Sequence, residues 1–229
     1  GYANTIASAV NPFEVIVVDE PKLFLVGAPQ QYYGLNQWDN TTAMEMRYIG
    51  NGTTKIFEAF VKVGAGEGFK LIGKQGSWDD GNFGTIGGAQ DGNLENSGGS
   101  GDIKISEVDG EGLYYIQVDL DAMTYKAVKS NWGIIGSATP GDWSSETAMA
   151  YNFGANEFSI SLNLLDGAMK FRSENTGLFI ENNAWKFNVG VSDPLVTYNA
   201  ASTDFPITAG AFNLTLKINF DCTVEISGL

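Results

Sequence analysis

Apolar and polar residues alternate with a period of two in two well separated stretches, "KIFEAFVKV" (55–63) and "NEFSISLNLL" (156–165). That period belongs to a half-buried strand, because successive side chains point to opposite faces. It predicts that Phe57, Ala59, Val61 and Val63 share one face, and that Phe158, Ile160, Leu162 and Leu164 share another. Further short apolar runs, such as "LFLVG" (23–27) and "GLYYIQVDL" (112–120), are bounded by Gly, Asn and Asp. Turn signals recur every 8–12 residues and no run has a helical period, so the pattern predicts all-β architecture, with sandwiches of immunoglobulin-like size.

The chain also resembles itself. "LFLVGAPQQYYGLNQWDNTTAMEM" and "WGIIGSATPGDWSSETAMAY" both run apolar strand, Gly, loop, Trp. Trp38 precedes Thr42-Ala43-Met44 at the spacing by which Trp143 precedes Thr147-Ala148-Met149. Downstream, "SWDDGNFG" (77–84) answers to "AWKFNVG" (184–190). The steps are 109 from Gly27 to Gly136, 105 from Trp38 to Trp143 and 106 from Gly84 to Gly190. One period over three landmarks predicts two tandem sandwich modules, residues 21–128 and 129–229, after an extension or domain remnant at 1–20. With almost no linker at the boundary, the modules are expected to pack end to end with little hinge freedom. Residues 84–101, rich in Gly, Ser and Asn, read as a surface loop, mobile unless bound.

Composition narrows the chemistry. The 229 residues carry a formal net charge of −14, which argues against nucleic acid and anionic lipid as partners and leaves neutral ligands. There is no histidine, which removes Ser-His-Asp and Cys-His catalysis and His-ligated zinc. The one cysteine, Cys222, sits in "INFDCTVEI" and reads as a buried thiol on a strand. Asp79 and Asp80 are adjacent and have no counterpart in the second copy, so they do not build the paired carboxylates of a glycosidase. "DDGN" lacks the rest of a calcium loop, and "GAGEGFK" (64–70) lacks a phosphate-loop pattern and reads as a hairpin turn. No cofactor or metal is called for. The chain begins "GYANTIASAV" and is read as mature sequence from which any export signal has been cut.

Five tryptophans remain. Trp132 lies in the first strand of the second copy and reads as core or module interface. The other four form two pairs, Trp38 with Trp78 and Trp143 with Trp185, at loops or strand ends. An indole offers a flat apolar face on which a pyranose ring stacks, while nearby Lys, Asn or Asp can bond its hydroxyls. The other duty open to each Trp is to plug one end of its sandwich.

The twofold order "LFLVG…WD…AM…FEAFV…FKL…W…NFG…G.Y.I.VDL", with "WGIIGSATPGDW" opening the second copy, resembles the SusE/SusF family over residues 21–229. The resemblance implies tandem β-sandwich modules of the starch-binding type behind an immunoglobulin-like domain, tethered to the outer-membrane surface by a lipidated cysteine. It implies no catalysis, and glycan held near an outer-membrane transporter complex and its partner glycan-binding lipoprotein. Carried onto this chain, it places aromatic platforms at Trp38 and Trp78 with Tyr32 or Tyr33, and at Trp143 and Trp185. Lys70 and Lys170 would bond sugar hydroxyls, and Asn82 and Asn188 would hold the turn before Gly84 and Gly190. The short loop "SATPGDW" lacks the tyrosines, which implies a second site that is weaker or lost. The upstream domain and the lipid-bearing cysteine are absent from this chain, and the expected ligand is starch or another neutral glycan. The alternative is an assembly or adhesion protein whose sandwiches space or dock protein partners, which predicts buried tryptophans.

Overall fold

The computed structural model describes residues 20–173, 187–196 and 202–229. The protein is all-β, and the strands of the described residues form four antiparallel sheets. Nine strands come from residues 24–129: β1 (Phe24–Gly27), β2 (Met44–Glu45), β3 (Arg47–Tyr48), β4 (Ile56–Val63), β5 (Phe69–Lys74), β6 (Ser77–Thr85), β7 (Leu94–Asn96), β8 (Gly112–Asp119) and β9 (Thr124–Lys129). They build one sheet of order β2-β1-β5-β6-β7 and another of order β3-β4-β8-β9. Residues 132–227 supply β10 (Trp132–Ile135), β11 (Thr147–Ala148), β12 (Ala150–Asn152), β13 (Glu157–Leu164), β14 (Gly167–Ser173), β15 (Asn188–Val189), β16 (Phe205–Ile207), β17 (Gly210–Ile218) and β18 (Val224–Ser227). Their sheets run β11-β10-β14-β15, with β16 also on β14, and β12-β13-β17-β18.

The alternation read from the sequence packs each pair of sheets face to face. Phe57, Ala59, Val61 and Val63 enter a core with Leu23, Leu25, Phe69, Leu71, Ile116 and Val118. Phe158 and Leu164 enter a second core, with Ile160 and Leu162 packed against it. Three local expectations differ from the structure. The "GAGEGFK" turn is no hairpin: β4 and β5 belong to different sheets, and the turn carries the chain across the sandwich. Residues 84–101 are not all loop, because Leu94 is buried and draws 94–96 onto the edge of β6 as β7. Cys222 is buried but lies in the β17–β18 turn at φ 70°, not on a strand.

The second core does not stop at the second half of the chain. It takes in Phe60, Leu113 and Tyr115, which lie on the outward faces of β4 and β8. Phe60 stands opposite Tyr115 in register, and its ring lies 4.9 Å from that of Tyr115, 6.0 Å from Phe187 and 6.5 Å from Trp132. The expected end-to-end arrangement is therefore replaced by packing against the face of a sheet. Trp132 is 2% exposed and does serve this joint.

Several polar groups in the joint are paired, as desolvation requires, although the Trp132 indole N–H is buried with no hydrogen-bond partner among the described residues. Glu58, on the outward face of β4, meets Arg47 Nη1 at 2.5 Å and accepts a hydrogen bond from the Tyr115 hydroxyl, to which Gln117 Nε2 donates at 2.9 Å. Lys62 holds its ammonium 4.7 Å from the centre of the Tyr32 ring and 4.4 Å from that of Phe153. Cation–π attraction of this kind offsets part of the loss of water. Burial still pushes the Lys62 pKa down, against the pull of Glu111 and Glu67. Strand β3 covers only Phe57 and Glu58 of β4, so the groups beyond need other partners. Phe60 N–H donates to Phe220 O at 3.1 Å, and the Tyr33 hydroxyl accepts from Lys62 N–H at 3.0 Å and donates to Phe60 O at 3.3 Å.

This joint predicts an alkali-labile fold. Burial pushes the Tyr33 and Tyr151 phenols and the Cys222 thiol above their ordinary pKa values. A group whose folded pKa is raised contributes stability that is complete below its unfolded pKa and is lost as pH climbs past it. The unfolded values are about 8.5 for Cys and about 10 for Tyr. Thermal unfolding followed by circular dichroism should therefore give a constant Tm from about pH 7 to about pH 8.5 and a falling one up to about pH 11. A Tm that holds to the top of that range would contradict the assignment.

Candidate functional site

The site residues expected from sequence fall into three places. The first is the loop that follows β1. A 3-10 turn over Ala28–Tyr33 begins with Pro29 in its first turn, where a missing N–H costs nothing. A second such turn, Asn40–Thr42, is capped by Asp39, whose Oδ1 accepts from Thr41 N–H at 2.9 Å and from the Thr41 hydroxyl at 2.6 Å. Hydrogen bonding by Thr41 holds the Asp39 carboxyl below its ordinary pKa. Trp38 lies between the two turns. Its N–H donates to Gly27 O at 3.4 Å, its φ is 61°, and the residue is 37% exposed. A left-handed backbone at an aromatic residue is unfavourable by about 1–2 kcal/mol, so neighbouring bonds must hold it there.

The loop is stitched to the hairpin after β5. Gly76 N–H donates to Asn40 O at 2.8 Å, and Gln75 Nε2 donates to Ala43 O at 3.0 Å. Two residues on, Trp78 packs over Phe24, Val26, Ala43 and Ile72, an apolar patch on the outer face of the sheet. Trp78 is half-buried, and no ring contact joins it to Trp38. The stretch "SWDDGNFG" is not itself a tight turn but the body of β6, bent where Gly81 takes φ 98°. Asp80 pairs with Lys74 at 3.5 Å on the surface. Its carboxyl is held below the ordinary range by Ser77 and then by Lys74.

In the second half the corresponding loop is shorter. Gly136 N–H donates to Asp142 O at 3.0 Å, and the Thr139 hydroxyl and N–H both donate to Gly136 O at 2.9 Å. Here the left-handed residue is Asp142, at φ 49°, and Trp143 follows it, 36% exposed. Trp185 lies outside the described residues.

The second place is the joint. Tyr32 faces Lys62 and stands edge-on to Phe153 at 5.4 Å. Its hydroxyl donates to Glu67 at 2.9 Å, and burial, with that bond, pushes its pKa up to about 12. Tyr33 completes the edge of β4. The structure thus puts both tyrosines at the contact between the halves of the chain, and neither makes a ring contact with Trp38. For Tyr33 the physical reason is the uncovered edge of β4, which recruits its hydroxyl; Tyr32 is held instead by Glu67 and the Lys62 ammonium.

The third place holds the lysines. Lys70 sits at the Gly84 end of the β5–β6 ladder, whereas Trp78 sits at its hairpin end. Lys70 is buried under a strap formed by Ser100, Gly101 and Asp102. A Cβ added to Gly84 would stand 2.3 Å from Gly101 O and 3.0 Å from Lys70 Cε. Burial lowers the Lys70 pKa, against the nearby charges of Asp102 and Glu95. The second half repeats the arrangement with different bonds. Lys170 Nζ donates to Ser202 Oγ at 2.9 Å, Ser202 Oγ donates to Asn188 Oδ1 at 2.9 Å, and Asp204 lies 3.5 Å from the amine. A Cβ on Gly190 would stand 2.2 Å from Thr203 O. Lys170 therefore binds strap to sheet, and Lys70 lies buried at the Gly84 end of its ladder, away from the Trp78 end. Asn188 belongs to the second of these clusters, whereas the buried Asn82 Oδ1 has no hydrogen-bond partner among the described residues; both asparagines lie on strands and not in turns. Sequence reasoning missed the strap. Its signal was the pair Ser100-x-Asp102 and Ser202-x-Asp204, 102 residues apart.

A separate groove of about 400 Å³ at the edge of the first sandwich is lined by Gln90, Lys104, Glu107, Tyr114 and Tyr125 among others, none of them an expected site residue. Among the described residues no group of His, Cys, Asp and Glu is placed to hold a metal ion, and no helix is long and apolar enough to cross a membrane.

Against this geometry the comparisons with known proteins are sparse. No family model matches the chain, and no curated protein matches it. Among solved structures there are matches. The chain is similar to SusF from Bacteroides thetaiotaomicron, whose crystal structure it matches at 17% identity and a TM-score of 0.37. The match covers 92% of this chain and 49% of that one, so the chain spans about half the length of the SusF chain.

Proposed function

We propose that the protein is a non-catalytic binder of neutral polysaccharide, starch or a related glycan, with one contact face on each half of the chain. The observation that carries this reading is the paired exposure of Trp38 and Trp143. Each stands in the loop after the first strand of its half, and each leaves more than a third of its surface in water while Trp132 is buried. An indole so placed stacks on a sugar ring, and the surrounding charge of −14 repels anions but not neutral glycans. The sequence resemblance supports the same reading and extends it to a cell-surface role at the outer membrane, beside a transporter complex and a partner glycan-binding lipoprotein.

The test is native electrophoresis in gels containing amylopectin, inulin or galactomannan, in turn. The chain should be retarded by at least one of them. Trp38→Ala and Trp143→Ala should each weaken that retardation by about tenfold, with the fold intact by circular dichroism. Migration unaffected by all three polysaccharides would sink the proposal. Incubation with the same polysaccharides should release no sugar, and release would mean an enzyme instead.

A further inference from the structure

Gln30 is fully buried, and its side-chain amide is spent entirely on the loop that carries Trp38. Its Oε1 accepts from Gly27 N–H at 2.9 Å. Its Nε2 donates to Asp39 O at 2.9 Å and reaches both O and Oγ1 of Thr42 at 3.2 Å. These contacts bracket Trp38. The tryptophan's own N–H is bound to Gly27 O, and the carbonyl one residue later is bound to Gln30. Trp38 is thereby fixed from both sides in the left-handed conformation that its side chain disfavours. Freed of these bonds, the backbone would return to the β or right-handed region and swing the indole away from its present attitude. In the second half Thr139 closes the loop, and the left-handed position falls on Asp142 instead of on the tryptophan.

We propose that Gln30 is a positioning residue that pre-organises the Trp38 ring for its ligand, so that the strain in the loop is compensated in the folded state and not at the moment of binding. This rests on the glycan-binding reading and adds to it a residue that touches no ligand. It also makes the two halves unequal, with a clamped tryptophan in one and an unstrained one in the other.

A double-mutant cycle tests it. Gln30→Met keeps the volume and removes the hydrogen bonds. Retardation in amylopectin, inulin and galactomannan gels is compared for the native chain, Gln30→Met, Trp38→Ala and the double variant, with Trp143 intact so that residual retardation stays measurable. Gln30→Met is expected to weaken affinity about fivefold when Trp38 is present and to change nothing when it is absent. Thermal stability should fall equally in both backgrounds. An equal loss of affinity in both backgrounds, or none in either, overturns the inference. If Trp38→Ala itself leaves affinity unchanged, it is the platform reading that fails. Should Gln30→Met not fold, Thr42→Val decides the question. It removes one acceptor of the clamp and should weaken affinity in the same direction by less, again only when Trp38 is present.

Discussion

Phe60→Ala is expected to destabilise the protein by about 3–5 kcal/mol, the usual range for a buried phenylalanine cut back to alanine. The ring is fully buried and touches Tyr115, Phe187 and Trp132, so the cavity would open inside a core that both halves of the chain share. Urea unfolding followed by circular dichroism measures the loss. Tryptophan fluorescence should shift to the red in the native baseline as Trp132 gains water. Ser161→Ala provides the control. Ser161 holds the matching place on β13, where the outward face meets solvent, and its loss should stay within about 0.5 kcal/mol. A Phe60 variant as stable as the Ser161 variant would show that the halves do not depend on each other.

Arg47→Met should have an effect of similar size for a different reason. Glu58 is 2% exposed, and Arg47, reaching it from β3, carries the countercharge. Removing one member of a fully buried ion pair typically costs about 3–5 kcal/mol, because the other is left in a medium that solvates it poorly; Arg47 is 35% exposed, so the loss should fall at the low end of that range. Glu58→Gln in the same background should restore part of the loss, since a neutral amide can still meet the Tyr115 hydroxyl. A double variant no more stable than Arg47→Met alone would place the contribution of Arg47 in its packing and not in its charge.

Phe60 also marks where the sequence was legible and where it was not. Strand, turn and repeat could be read because alternation and the spacing of Gly and Trp are local properties. The outward residues of β13 are Ser159, Ser161 and Asn163, and a solvent face follows from them directly. The outward residues of β4 are Glu58, Phe60 and Lys62, and one large apolar residue among charges is a weak but real sign of a covered face. Which surface covers it depends on shape complementarity between distant parts of the chain, which no local pattern encodes. The site behaved in the same way. Exposure of Trp38 and Trp143 follows from their loops, but the place of Tyr33 was set by an unpaired strand edge that only the sheet order reveals, and that of Tyr32 by distant Lys62 and Glu67. Gln30 gave no signal at all, because one glutamine among loop residues looks the same whether it is solvated or fully bonded.

The shared core has a last consequence for a ligand that is itself a repeating polymer. Two contact faces on a flexible tether sample many separations, and most of the benefit of double attachment is lost to the search. Two faces on halves fused through Phe60, Tyr115 and Trp132 keep one separation. On the glycan-binding reading, such a protein gains avidity only where the chain of sugars bridges that distance, and so works as a ruler for the polysaccharide's shape, with long ordered segments held and short fragments released.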